Sequence, residues 1–264
     1  AAVLCFWLFA LALGTAEGVG LRAVMHPEER AVSADVEETA EVILLPAAAA
    51  APQLDLNCRA AILIEQGSGR VLYEKNADER VPIASITKVM TCLLTLEAVD
   101  RGELSLEQTV TASSALHTGI GEGASTADIK EGEQIRIIDL LYAALIPSAN
   151  EACNVMAEAV SGDVASFVEL MNTRAAELGM EDTHFSNTHG YHDDDHYTSA
   201  YDIYLMCREA MKHETFRTIV GSKNYTMPAT NLHPEPRIIR STNALISNFR
   251  VAGYIYEYAT GIKT

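Results

Sequence analysis

The chain has 264 residues, 48% of them hydrophobic, and its 36 acidic against 19 basic side chains give a formal charge of -17. That length supports one large domain with a sizeable core. The charge excludes nucleic-acid binding, since nothing offsets phosphate repulsion, and it disfavours capture by anionic wall polymers or lipids.

Residues 3–13, with Trp7 and Phe9, form an apolar run too short to span a bilayer. Gly14 and Ala16 follow as at a signal-peptidase site, so 1–16 is predicted to be a secretory signal segment. Neither Met nor a basic stretch precedes it, so its true start is expected upstream. Residues 17–56 are acidic and then Ala-rich between Pro46 and Pro52, the composition of a poorly ordered spacer. The catalytic domain is predicted over 57–264. Strand patterns at 61–65 and 71–74 flank Gly67-Ser68-Gly69 and predict a hairpin. Ser85-Ile86-Thr87-Lys88 then opens the periodic run Val89, Met90, Leu93, Leu94, Leu96, a helix of about four turns ending near Arg101-Gly102. Gly119-Ile120-Gly121-Glu122-Gly123 reads as a loop and lacks the Lys-Ser/Thr of a phosphate loop. Helical patterns follow at 137–145, 150–161, 163–179 and 198–213. Strand character returns at 222–227 and at 254–264, where Tyr254, Tyr256 and Tyr258 alternate. Strands at both ends predict one sheet completed by the two halves of the chain, flanked by a helical subdomain.

Three short motifs carry chemistry. On a helix, residues three apart share a face, so the Ser85 hydroxyl and the Lys88 amine can meet, with the positive end of the helix dipole behind the hydroxyl. Serine is a poor nucleophile until a base takes its proton, and a lysine whose pKa is lowered by desolvation can be that base. Alone, S-x-x-K is common, and a helix cap beside a surface lysine is the plain alternative. Ser148-Ala149-Asn150 lies in a turn between two helical patterns, where capping of the helix from Glu151 onward is the plain alternative. Lys263-Thr264 follows Gly261-Ile262. S-x-x-K, S-x-N and K-T in that order form the signature set of penicillin-binding proteins and serine β-lactamases.

With these motifs, and with the stretches at 60–65, 71–76, 82–91, 183–190 and 196–202, the chain resembles the low-molecular-mass penicillin-binding proteins, serine D-alanyl-D-alanine carboxypeptidases, from about residue 58 onward. The resemblance implies an α/β (α+β) fold of the β-lactamase/transpeptidase type. In it an antiparallel sheet is flanked by helices, a helical subdomain is inserted, and the active site lies in the cleft between. It implies Ser85 as nucleophile and Lys88 as its base. Ser148 would relay a proton to the leaving D-alanine, while Asn150 would donate to a substrate carbonyl and hold Lys88. Lys263 and Thr264 would bind the terminal carboxylate, and the Ser85 N–H would form half of the oxyanion hole. The implied partners are the D-Ala-D-Ala end of a peptidoglycan stem peptide and, as covalent inhibitors, β-lactams. The 119–123 loop would rim the site. No cofactor is implied, and the place of action is the outer face of the cytoplasmic membrane or the wall space.

The third motif stops at Thr264, before its glycine. The expectation is therefore a C-terminally incomplete catalytic domain, a fragment of a longer product that turns over negligibly as written. In the family a β-rich domain and an amphipathic helix come later, and membrane association would run through that helix. His184, His189, His192, Asp193, Asp194, Asp195 and His196 invite a metal reading, but their spacing is not H-E-x-x-H and the related loop has no metal role. They are expected to be dispensable for chemistry. Two other functions compete. A β-lactamase is disfavoured by Ala149, where class A enzymes carry Asp. A catalytically silent wall-binding or sporulation-associated scaffold is disfavoured by the intact Ser85, Lys88, Ser148, Asn150 and Lys263.

Overall fold

The computed structural model describes residues 4–6 and 54–264, so the signal segment predicted at 1–16 and the spacer at 17–56 lie, but for 4–6 and 54–56, outside the described residues. Helix α1 (Lys88–Asp100) runs through the middle of the molecule, with ten of its 13 residues buried. It packs on α2 (Ile137–Leu145), α3 (Asn150–Ser161), α4 (Val164–Glu177), α5 (Ala200–Ala210) and α6 (Glu214–Val220). A helix that is apolar all round has to be surrounded, and α1 meets that demand with Val89, Met90, Leu93, Leu94, Leu96 and Ala98. Its polar residues are satisfied internally: the Thr95 hydroxyl donates to the Thr91 carbonyl at 2.8 Å, and the Thr91 hydroxyl to the Thr188 carbonyl at 2.5 Å. The helix begins at Lys88; Ser85–Thr87 form a separate 3-10 turn in front of it.

Strand β1 (Leu4–Phe6) lies parallel to β2 (Ala61–Ile64), which pairs antiparallel with β3 (Val71–Lys75). The β2–β3 connection is tied by the Glu65 carboxylate, which accepts the N–H groups of Gly67 and Ser68 at 2.8 and 2.7 Å. Short ladders join β4 (Val81–Pro82) to β7 (Tyr197–Thr198) and β5 (Thr109–Thr111) to β6 (Gln134–Arg136). Strands β8 (Asn224–Met227) and β9 (Arg237–Arg240) pair with each other. The single sheet expected from both halves of the chain is therefore not formed among the described residues. Nor is the strand at 254–264: this segment has no ladder partner and turns at Tyr256, whose carbonyl accepts the Ala259 N–H at 2.9 Å. Tyr254, Tyr256 and Tyr258 all face solvent. Alternating aromatics make a strand only where another strand supplies hydrogen bonds. The pattern at 198–213 forms α5, with the Ser199 side chain capping it by accepting the Asp202 N–H, and the short helix α6 that follows at Glu214–Val220 was not expected.

Two buried polar clusters hold the elements that carry the site. In the first, Glu133, with a fully buried side chain, pairs with Arg237 from β9 and accepts the Thr230 hydroxyl at 3.0 Å. Arg237 also donates to the carbonyls of Ala127 and Asp128, each at 3.0 Å, which fastens the β8–β9 hairpin to the 126–133 strap. In the second, the segment 183–198 packs on α1 and α3. Its His189 accepts the Tyr191 N–H on Nδ1 at 3.1 Å and donates from Nε2 to the Thr118 carbonyl at 3.1 Å. His196 accepts the Ser186 N–H on Nδ1 at 2.9 Å. Burial lowers the pKa of each imidazole to about 4, so both are neutral at pH 7.

Arg237→Leu should strand the Glu133 carboxylate and lower stability by about 3–5 kcal/mol, with most of the loss recovered in Arg237→Leu/Glu133→Leu. Urea midpoints at unchanged slope measure both. The histidines set an acid limit. Their folded pKa of about 4 lies below the ordinary 6.5, so between these values the unfolded chain binds protons that the folded chain does not. Stability should fall as pH drops through that window and level off below it, by up to about 3 kcal/mol per histidine. Urea midpoints taken from pH 7 to 4 should show a shallower fall in His196→Gln; an identical slope would remove His196 from the account.

Candidate active site

The nucleophile turn is built by the chain entering α1. Ser85–Thr87 make one 3-10 turn, the Thr87 N–H donates to the Ala84 carbonyl at 3.0 Å, and Lys88 opens the α-helix. Lys88 has no solvent exposure. Its Nζ lies 3.1 Å from Ser85 Oγ and donates to the His189 carbonyl at 2.6 Å. Burial lowers the Lys88 pKa, against small opposing contributions from Cys153, Cys92 and Glu151. A desolvated amine within hydrogen-bond reach of a serine hydroxyl is the arrangement in which the amine can take that proton.

Among the described residues no hydrogen bond joins Asn150 to Lys88, whose amine is bonded to Ser85 and to the His189 carbonyl. Nor does the polar run at 184–196 stand apart from the site. His189 and His196 are about 1% exposed and built into it, whereas His192 and the three aspartates point to solvent. No group of three or more His, Cys, Asp or Glu side chains among the described residues is placed to hold a metal ion. The segment is drawn in by close backbone contact: a Cβ on Gly190 would stand 2.0 Å from the Ala84 oxygen and 2.8 Å from Thr87 Oγ1. Sequence reasoning missed His189 because its contribution is a main-chain carbonyl, which every residue has. The glycine beside it was the available signal.

The second motif sits where α2 hands over to α3. Ala149, not Ser148 or Asn150, is the N-cap of α3, and no side chain caps that end, so the capping alternative does not hold. Ser148 adopts φ 72°, a left-handed conformation that costs a non-glycine residue about 1 kcal/mol or more. Its hydroxyl is buried and has no hydrogen-bond partner among the described residues. The turn is pinned on both sides. The Asn150 N–H donates to the Ser125 carbonyl at 2.9 Å, and Glu151 Oε1 accepts the Thr126 hydroxyl at 2.6 Å and the Ala127 N–H at 2.7 Å. No hydrogen bond joins Ser148 or Asn150 to Ser85 or Lys88 among the described residues.

The third motif approaches from α6. The Gly261 backbone passes so close to Val220 that a Cβ there would lie 2.7 Å from Val220 Cγ2. Thr264 Oγ1 shares a hydrogen bond of 2.8 Å with Thr242 Oγ1, and the Thr242 N–H donates to the Ile146 carbonyl at 3.3 Å, next to the second motif. The Lys263 ammonium donates to the Thr264 carbonyl. Burial first, then repulsion from Lys88, lowers the Lys263 pKa to about 7. The loop at 119–123 lies on the 183–198 segment: Gly121 is against the Tyr191 ring so tightly that a Cβ would stand 2.2 Å from its hydroxyl.

Comparison with known proteins gives the family and the fold. The family described as D-alanyl-D-alanine carboxypeptidase, of the S11 peptidases, matches residues 46–264. The D-alanyl-D-alanine carboxypeptidase DacF of Bacillus subtilis is 38% identical over 213 residues, 80% of this chain and 51% of its own length. DacC of Escherichia coli is 33% identical over 214 residues, 77% of this chain and 53% of its own. The chain thus spans about half the length of these relatives. Among solved structures, a mutant of the Streptomyces K15 DD-transpeptidase superimposes with a TM-score of 0.71 at 30% identity, covering 80% of this chain and 82% of that one. The fold is that of the penicillin-binding enzymes, and the chain belongs to the D-alanyl-D-alanine carboxypeptidase family of S11 peptidases.

Proposed function

We propose that the protein is a serine D-alanyl-D-alanine carboxypeptidase that removes the terminal D-alanine of peptidoglycan stem peptides through an acyl-enzyme on Ser85. The observation that carries this reading is the buried Lys88 amine, its pKa lowered by desolvation, 3.1 Å from the Ser85 hydroxyl. Ser85 Oγ attacks the carbonyl carbon of the penultimate D-alanine as its proton passes to Lys88 Nζ. The oxyanion that forms is met by the Ser85 N–H, at the positive end of the turn leading into α1. Collapse breaks the peptide C–N bond, and the proton reaches the leaving amine through Ser148. The buried Ser148 hydroxyl, without a partner in the described residues, is free for that relay. Water then attacks the ester, the shortened peptide leaves with a new carboxylate, and Ser85 recovers its proton.

Asn150, at the first turn of α3, donates to the backbone of the peptide, and Lys263 with Thr264 receives its terminal carboxylate as a charge-assisted contact. β-Lactams, which carry an acyl bond and a carboxylate in the same relation, acylate Ser85 in the same way. The apolar run at 3–13, followed by Gly14 and Ala16, supports export of the protein to the wall side of the cytoplasmic membrane, where the substrate is. No helix among the described residues is long and apolar enough to cross a membrane.

The full-length gene product should form a covalent adduct with labelled penicillin that maps to Ser85 and is absent in Ser85→Ala. Lys88→Ala should slow acylation by at least ~10²-fold, the lower end for loss of a general base. Stopped-flow labelling and peptide mass mapping check both. An adduct that persists in Ser85→Ala would reject the assignment.

A further inference from the structure

The mechanism above uses neither His196 nor Thr87, yet both are buried, Thr87 as the last residue of the nucleophile turn and His196 against it. The His196 imidazole is 1% exposed and meets the Phe185 ring edge-on, with centroids 5.8 Å apart. Its main chain is held beside the turn by the β4–β7 ladder, and the Ile83 N–H donates to its carbonyl. Proton placement around the ring is determined by its neighbours. The Ser186 N–H occupies Nδ1 at 2.9 Å, so the ring proton is on Nε2, which lies 2.7 Å from Thr87 Oγ1. Thr87 Oγ1 in turn is 2.8 Å from the Ala84 carbonyl, to which it gives its one hydrogen. The chain of donors therefore runs in one direction: Ser186 N–H to His196, His196 Nε2–H to Thr87, Thr87 O–H to Ala84. It ends on the peptide group whose nitrogen belongs to Ser85.

We propose that His196 is a positioning residue for the nucleophile: through the Thr87 hydroxyl it fixes the Ala84–Ser85 peptide, and so sets the direction of both the Ser85 N–H and Ser85 Oγ. This rests on the reading of Ser85 as the nucleophile. The Ala84 carbonyl accepts from the Thr87 N–H as well, at 3.0 Å, and Gly190 leaves it room by having no side chain. With the imidazole absent, Thr87 Oγ1 is released to rotate, and the peptide plane before Ser85 loses one of its two donors. An oxyanion-hole N–H works only when aimed in advance, so misdirection reduces the chemical step more than binding.

The test compares His196→Leu, His196→Gln, Thr87→Val and the double variant His196→Leu/Thr87→Val in the full-length protein. Two readouts are taken: penicillin acylation resolved into its rate and its binding constant, and hydrogen exchange at the Thr87 amide relative to amides within α1. His196→Leu and Thr87→Val should each lower the acylation rate by about 10-fold or more while the binding constant changes by less than about 3-fold. The double variant should be no slower than the slower single, because both cut one chain. His196→Gln, whose amide can donate in place of Nε2, should recover to within about 3-fold of the parent. Thr87 amide exchange should accelerate in His196→Leu and Thr87→Val while α1 exchange does not.

A His196→Leu or Thr87→Val protein that acylates at the parental rate with unchanged Thr87 exchange overturns the proposal, as do fully additive losses. If His196→Leu does not fold, Thr87→Val alone decides by the same criteria. A parent protein that is never labelled at Ser85 defeats the functional reading, and the Thr87 exchange data then decide the positioning chain separately.

Discussion

A lysine amine taken out of water is the constraint around which this molecule closes. Lys88 is fully buried at the start of the helix that packs on all five others, and a desolvated amine without partners would be costly. It is given two, one from its own turn and one from a segment about a hundred residues later. For the second to arrive, residues 183–198 must fold onto α1, and that requires Gly190 at the Ala84 carbonyl and Thr188 between Thr91 and Asn154. Asn154 in turn holds the carbonyls of Leu116 and Thr118, which lead into the rim loop. Satisfying one amine thus assembles α1, α3, the 183–198 segment and the loop in one network.

The α2–α3 junction shows the opposite treatment of a polar group. Ser148 is left-handed, and its buried hydroxyl has no hydrogen bond among the described residues, two conditions that each oppose folding. The surrounding turn compensates through Glu151, Ser125 and the Ala149 N–H on the Ala143 carbonyl. Strain concentrated at one hydroxyl and relieved everywhere around it is characteristic of a group kept available for something other than the fold.

How much of this the sequence disclosed depended on whether the signal was local. The hairpin at 61–75 was legible because alternation and a Gly-Ser-Gly turn are complete in themselves. The helices α2 and α3 were legible because their apolar periods end at proline and glycine. The three motifs were legible because their order and spacing are rare together. What could not be read depended on distant partners. The aromatic run at 254–258 looked like a strand, but strand identity is conferred by a neighbour. The seven polar residues of the 184–196 cluster looked alike on the page, and only the packing of Gly190 and Phe185 decides that His189 and His196 turn inward while His184, His192 and the aspartates do not. The role of the His189 main-chain carbonyl was invisible for the simplest reason, since it does not depend on side-chain identity.

The all-round burial of α1 has an evolutionary side. In many enzymes the reactive groups sit on loops that can drift while the core stays fixed. Here the amine opens the core's own central helix and the hydroxyl lies on the turn before it, so the residues whose packing keeps water from the amine are also the residues that fill the interior. A substitution able to adjust reactivity is therefore paid in packing as well. A substitution at an exposed position of the 119–123 loop, of the hairpin at 224–240 or of the acidic surface carries no such packing cost.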